Sequence, residues 1–208
     1  RSRSNRNHPN FDLFETPVAT PEEAQWQILL PGDESHYLMG HVAFADALIV
    51  CLRINGLDQV QIVDNSGSHL IEFPEPAYSV DLGTNPNYRT NALRLAYTSM
   101  VTPHTVFDYH WQTKSLTRLK VQEIPGGYEA SDFVSERRQV IARDGAQVPM
   151  SVVRHKDTPI DGTGPIYLYG YGAYGHAIPP SFSSNLISLL ERGFSFAIAH
   201  IRGGDDLG

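Results

Sequence analysis

Cysteine is almost missing from this chain. Cys51 is the only one in 208 residues, so no disulfide can form within it, and a reducing compartment is indicated. A cytoplasmic location is the expectation, with the periplasm as the alternative. Cys51 lies in an apolar run over residues 47–52 and reads as a small core residue rather than a nucleophile. Long apolar runs are missing too: none approaches the roughly 20 residues of a membrane span, and no apolar signal core follows Arg1-Ser2-Arg3-Ser4. Basic charge is scarce, 16 Lys and Arg against 23 Asp and Glu for a net charge of −7. No electrostatic footprint for nucleic acid exists, so neither a membrane nor a nucleic acid is expected as partner. The nine histidines are scattered, with no two at metal-ligand spacing; no metal is expected.

The Gly-x-Ser-x-Gly elbow that carries the nucleophile of α/β-hydrolases is also absent. Ser66 and Ser68 fall in a turn, Ser181, Ser183 and Ser184 open a helix, and Ser195 begins a strand. Capping and turn roles account for each.

What is present organises itself around residues 165–175, PIYLYGYGAYG. An apolar, aromatic run ends in alternating glycines, which reads as a buried strand leading into a loop of sharp turns and close backbone approach. Residues 181–192 space Phe182, Leu186, Leu189 and Leu190 as one face of a helix, with Gly193 as its stop. Residues 194–201, FSFAIAHI, read as a second buried strand ending at Arg202-Gly203-Gly204. Strand, glycine loop, helix and strand make a βαβ unit with parallel strands.

Residues 1–124 have another texture. Strands are expected over 14–19, 25–30, 37–44, 48–54, 59–64, 69–73, 93–98, 105–112 and 116–121, separated by turn signals such as Asn55-Gly56. Short strands without a convincing helix mean a sandwich, a barrel or a propeller, and the pattern alone does not choose. Pro125-Gly126-Gly127 breaks it, and a hairpin across Asp144-Gly145 follows, with strands over 139–143 and 148–154.

The blocks YGYGAYG (169–175), AHIRGG (199–204), 136–153, 103–119 and 4–14 together resemble the prolyl oligopeptidase family of serine peptidases, most closely its oligopeptidase B branch. The resemblance runs over nearly the whole chain. It implies β-propeller blades, all-β and partial, over 1–124, a linker over 125–135, and the N-terminal part of an α/β-hydrolase domain over 136–208. By the same resemblance the chain is an internal fragment that stops before the Ser-Asp-His triad and is inactive alone. The activity implied for the parent is that of a serine oligopeptidase on short peptides, after basic residues, without a cofactor. The rivals are a catalytically inactive peptide-binding module and another hydrolase of the same family.

The resemblance also assigns Tyr171, the second tyrosine of Tyr-Gly-Tyr, as the hydroxyl that stabilises the oxyanion. Tyr169 and Tyr174 are left as packing, and Arg202 as support for its turn. His200 reads as a satisfied core histidine, and Asp206 occupies an acidic position of the family's motif. The loop 176–181, HAIPPS, has no carboxylate, which puts a dibasic preference in doubt.

Overall fold

The structure is a computed structural model that describes residues 1–206; Arg1–Ile71 and Glu72–Asp206 are its two units. In the first, β1 (Ser2–Ser4), β2 (Asp12–Glu15) and β3 (Gln27–Leu30) form an antiparallel sheet. A four-stranded antiparallel meander follows, made of β4 (His36–Ala43), β5 (Ala47–Ile54), β6 (Leu57–Asp64) and β7 (Gly67–Leu70). Asn55 and Gly56 adopt φ of 52° and 70°. That left-handed pair matches the twist of the strands it joins, so β5 folds back on β6 in a tight hairpin. Leu13, Leu38, Leu48, Val50 and Leu52 pack the core between the two sheets. Each such side chain contributes roughly 1.5–3 kcal/mol by leaving water.

Some strands differ from expectation. The strand expected over 14–19 lies at Asp12–Glu15, because Pro17 has no N–H for a ladder. A 3-10 turn at Glu23–Gln25 replaces the start of the strand expected over 25–30. The strand expected over 69–73 begins at Gly67, where the tight turn pairs it with Asp64; Ser68 therefore lies in a strand rather than a turn. Cys51 is half-buried in β5.

In the second unit, β8 (Tyr78–Leu82), β9 (Ala92–Ser99), β10 (Thr105–His110) and β11 (Ser115–Val121) form another antiparallel meander. Burial falls from Tyr78, Ser79 and Val80 on β8 to the mostly exposed β11. Its sequence SLTRLKV sets charged side chains among apolar ones on an open edge, which discourages pairing with another chain.

The remaining sheet is mixed, in the order β12-β13-β15-β14. Here β12 (Phe133–Ile141) and β13 (Gln147–His155) are an antiparallel hairpin. β14 (Ile166–Tyr169) runs parallel to β15 (Ser195–Ala199), with α1 (Ser184–Leu190) in the crossover. The helix is shorter than the pattern over 181–192: Ser183 is still extended at its start, and the chain turns at Gly193, φ 83°. The strand at 165–169 is not buried. Its residues Ile166, Tyr167, Leu168 and Tyr169 are 56, 47, 56 and 38% exposed, because among the described residues β14 pairs only with β15, and α1 packs on β15 and β13.

Met100 and Val101, just after β9, share one core cluster with Phe133, Val153, Leu190 and Ile198 of the mixed sheet and its helix. Tyr128 stacks on Phe133 with ring centroids 5.3 Å apart, and its hydroxyl donates to the Val101 carbonyl at 2.6 Å. The Phe182 N–H donates to Thr98 Oγ1 at 3.1 Å. Among the described residues no helix is long and apolar enough to cross a membrane.

Candidate functional site

Two glycine-rich loops leave the mixed sheet side by side, one after β14 and one after β15. Gly172 has φ 65° and Gly203 φ 95°, a backbone region costly for a side chain. A Cβ on Gly203 would lie 2.1 Å from the Gly172 carbonyl oxygen, and one on Gly172 would lie 2.7 Å from the Arg202 carbonyl oxygen. The loops touch backbone to backbone, which only glycine allows. The Gly175 N–H donates to the Gly203 carbonyl at 2.8 Å, and the Ala177 N–H donates to Asp205 Oδ1 at 3.1 Å.

Tyr171 stands between Gly170 and Gly172 on the first loop. It is 46% exposed, with its ring edge-on to that of His176 at 6.0 Å, and among the described residues its hydroxyl makes no hydrogen bond. Such a phenol can donate to an oxygen that gains negative charge beside it. Tyr174 does not pack: it is 97% exposed, projected outwards by a left-handed turn with φ 57°.

His200 follows β15 and is buried, with both ring nitrogens engaged. Nε2 lies 2.8 Å from Ser151 Oγ and Nδ1 lies 2.9 Å from Asp206 Oδ1. Arg202 does not bond the glycine loops through its side chain; its guanidinium reaches the Asp144 carboxylate at 2.6 Å, in the turn between β12 and β13. That hydrogen bond holds the Asp144 carboxyl below the usual range. The pair is exposed and contributes little to stability.

Of the serines, Ser66 Oγ bonds Asp64, Ser183 precedes α1 without a side-chain cap bond, and Ser195 is the first residue of β15. No cluster of three His, Cys, Asp or Glu side chains suited to a metal occurs among the described residues. Two adjoining cavities, of about 430 and 700 Å³, share Tyr97, Thr105, Val121 and Gln122 and lie on the β8–β11 sheet away from Tyr171. The loop 176–181 has no carboxylate of its own, but the fold brings Asp205 to it. Nothing in the spacing of residues 177 and 205 signals that contact, which forms where the two glycine loops lie side by side.

Residues 2–122 match the model of the prolyl oligopeptidase N-terminal β-propeller domain. The chain belongs to the prolyl oligopeptidase family. Its antiparallel four-stranded sheets are blades of that family's propeller. Among curated relatives, dipeptidyl aminopeptidase BI of Pseudoxanthomonas mexicana is 36% identical over 96% of this chain and 28% of its own length. Protease 2 of Moraxella lacunata is 35% identical over 96% of this chain and 29% of its own. The structure of oligopeptidase B from Leishmania major superposes with a TM-score of 0.88 at 32% identity, covering 99% of this chain and 30% of that one. The chain thus spans less than a third of the length of these prolyl oligopeptidase relatives, and the family it joins is one of serine peptidases.

Proposed function

We propose that the chain is the part of a serine oligopeptidase in which propeller blades, residues 1–124, pass through a linker, 125–135, into the opening strands of an α/β-hydrolase domain, 136–208. The observation that carries this reading is the half-exposed Tyr171 side chain on a glycine loop at the C-terminal end of a parallel strand, the end at which open α/β sheets bind their ligands. A further parallel strand added to the open edge of β14 would bring a nucleophile elbow beside that loop.

In the reaction proposed, a serine oxygen attacks the carbonyl carbon of a peptide bond and the carbonyl oxygen takes the negative charge. Tyr171 donates its O–H to that oxyanion and keeps its proton. Collapse of the intermediate expels the amine, which takes the proton that the serine gave up. Water then releases the acid from the acyl-enzyme. No cofactor enters. Substrates are short peptides, admitted past the propeller and cut after basic residues in the cytoplasm.

The relative named dipeptidyl aminopeptidase gives a second reading, in which a free N-terminus is recognised two residues from the cut. The full-length gene product should be compared on N-blocked Arg, Lys and Pro peptides and on unblocked dipeptidyl substrates. Cleavage after blocked Arg and Lys is expected; cleavage of the unblocked substrates alone would favour the second reading. Tyr171→Phe should lower kcat by about 100-fold with KM nearly unchanged. No turnover and no labelling of a serine by a fluorophosphonate would leave a peptide-binding module instead.

A further inference from the structure

Ser151, His200 and Asp206 are joined in the order of a hydrolase triad: hydroxyl to Nε2, Nδ1 to carboxylate. They are 0, 4 and 5% exposed. Ser151 lies within β13, paired with Arg137 on one side and Ile198 on the other. No acyl carbon can approach its oxygen there, so the group is not a nucleophilic site. Its bonds hold something in place instead.

The His200 N–H donates to the Pro149 carbonyl at 2.9 Å, which fixes the start of the second glycine loop to β13. The Asp206 carboxylate accepts from Nδ1, so that Nε2 is left to accept the Ser151 hydroxyl proton. The loop is therefore closed at residues 200 and 206 on one sheet-anchored imidazole. Between these ends, Gly203 abuts Gly172 and accepts from Gly175, and Asp205 accepts from Ala177. Those two acceptors flank His176, whose ring faces Tyr171. Arg137 supplies compensating charge: burial lowers its pKa, and the Asp206 carboxylate opposes that shift.

We infer that Ser151, His200 and Asp206 form a buried relay that positions the Tyr171 loop, acting through the 203–205 backbone rather than on substrate. Breaking the relay at Asp206 frees the second loop from the sheet, and the first loop loses both of its acceptors. The kinetic consequence rests on Tyr171 acting as the oxyanion donor; the order of the loop does not.

The test uses the full-length gene product with Asp206→Ala, Asp206→Asn and Ser151→Ala. Amide hydrogen exchange at Gly175 and Ala177 should rise about tenfold in D206A while β9 amides stay unchanged. D206N keeps an acceptor for Nδ1–H and should retain most of the protection. S151A should raise exchange at the same two amides by a smaller factor, and it carries the test if D206A does not fold. In activity, D206A should lower kcat with KM unchanged and add little to Tyr171→Phe, since both act on one donor. Unchanged exchange at Gly175 and Ala177 in both D206A and S151A would overturn the inference. So would loss of fluorophosphonate labelling in folded S151A, which would make Ser151 a nucleophile. If Y171F leaves kcat unaltered, the oxyanion reading falls, while the exchange result still decides the relay.

Discussion

Gly203 and Gly175 are both left-handed glycines in the same pair of loops, with φ 95° and 62°, yet their surroundings differ. A Cβ at 203 would meet the Gly172 carbonyl, whereas one at 175 meets nothing within 4 Å. Gly175→Ala should therefore cost only the backbone penalty of a left-handed residue, about 1–2 kcal/mol. Gly203→Ala adds a collision with backbone that cannot rotate away, and should cost about 3 kcal/mol or more. Urea unfolding of the two variants checks the difference; equal costs would mean that the loops part without penalty. The sequence shows the alternating glycines and the position of Tyr171, because both lie in one short run. It does not show that Gly172 meets Gly203 or that Ala177 meets Asp205, since those pairs are 31 and 28 residues apart.

Hairpins are the most legible elements, because their signals are local. Asn55-Gly56 and Asp144-Gly145 mark turns that the structure contains, and the strands beside them differ from expectation mainly at their ends. β1 has no apolar alternation and escapes notice. β8 escapes it too, although Tyr78, Val80 and Leu82 alternate with Ser79 and Asp81, and the exposure of β14 depends on neighbours that its own residues do not encode. Charge on the β12–β13 hairpin leads to a prediction that a sequence pattern would not suggest. Glu136 Oε1 accepts from Arg154 Nη2 at 3.2 Å and Oε2 accepts from Arg138 Nε at 2.8 Å. Partial burial raises the Glu136 pKa, but the two guanidinium hydrogen bonds outweigh it and hold the carboxyl below its ordinary value. A lowered folded pKa means that the stabilisation is full above the unfolded value, roughly 4.3, and fades as pH falls through the folded value. Glu136→Gln should be less stable than the parent by about 1 kcal/mol near neutrality and no less stable in acid. Urea midpoints on both sides of that range test it, and a constant gap between the two proteins would show that Glu136 is not the titrating group.

At the scale of the whole chain, apolar surface is left open along β14, and to a lesser extent on the terminal strand β3, where Ile28 and Leu29 are exposed. On β14, Ile166 and Leu168 alternate on one face and Tyr167 and Tyr169 on the other, all substantially exposed. Beyond them stands a strand edge that is unpaired among the described residues, since β14 is terminal in its sheet. An apolar edge without charge, proline or bulge is a template for another strand. β11, also terminal, carries Arg118 and Lys120 and lacks that character. The asymmetry between β14 and β11 marks β14 as an edge through which these 208 residues, expressed by themselves, should associate. Sedimentation velocity should show self-association that rises with concentration. Leu168→Lys should suppress it by placing a charge on the β14 face, whereas Leu116→Lys on β11 should leave it unchanged. In the full-length gene product, where the proposed next strand covers β14, Leu168→Lys should instead destabilise the fold by about 2–5 kcal/mol, the scale of a lost core leucine. A monomeric 208-residue chain together with a tolerated L168K in the longer protein would show that nothing pairs with this edge, and the hydrolase-sheet reading of the mixed sheet would fall with it.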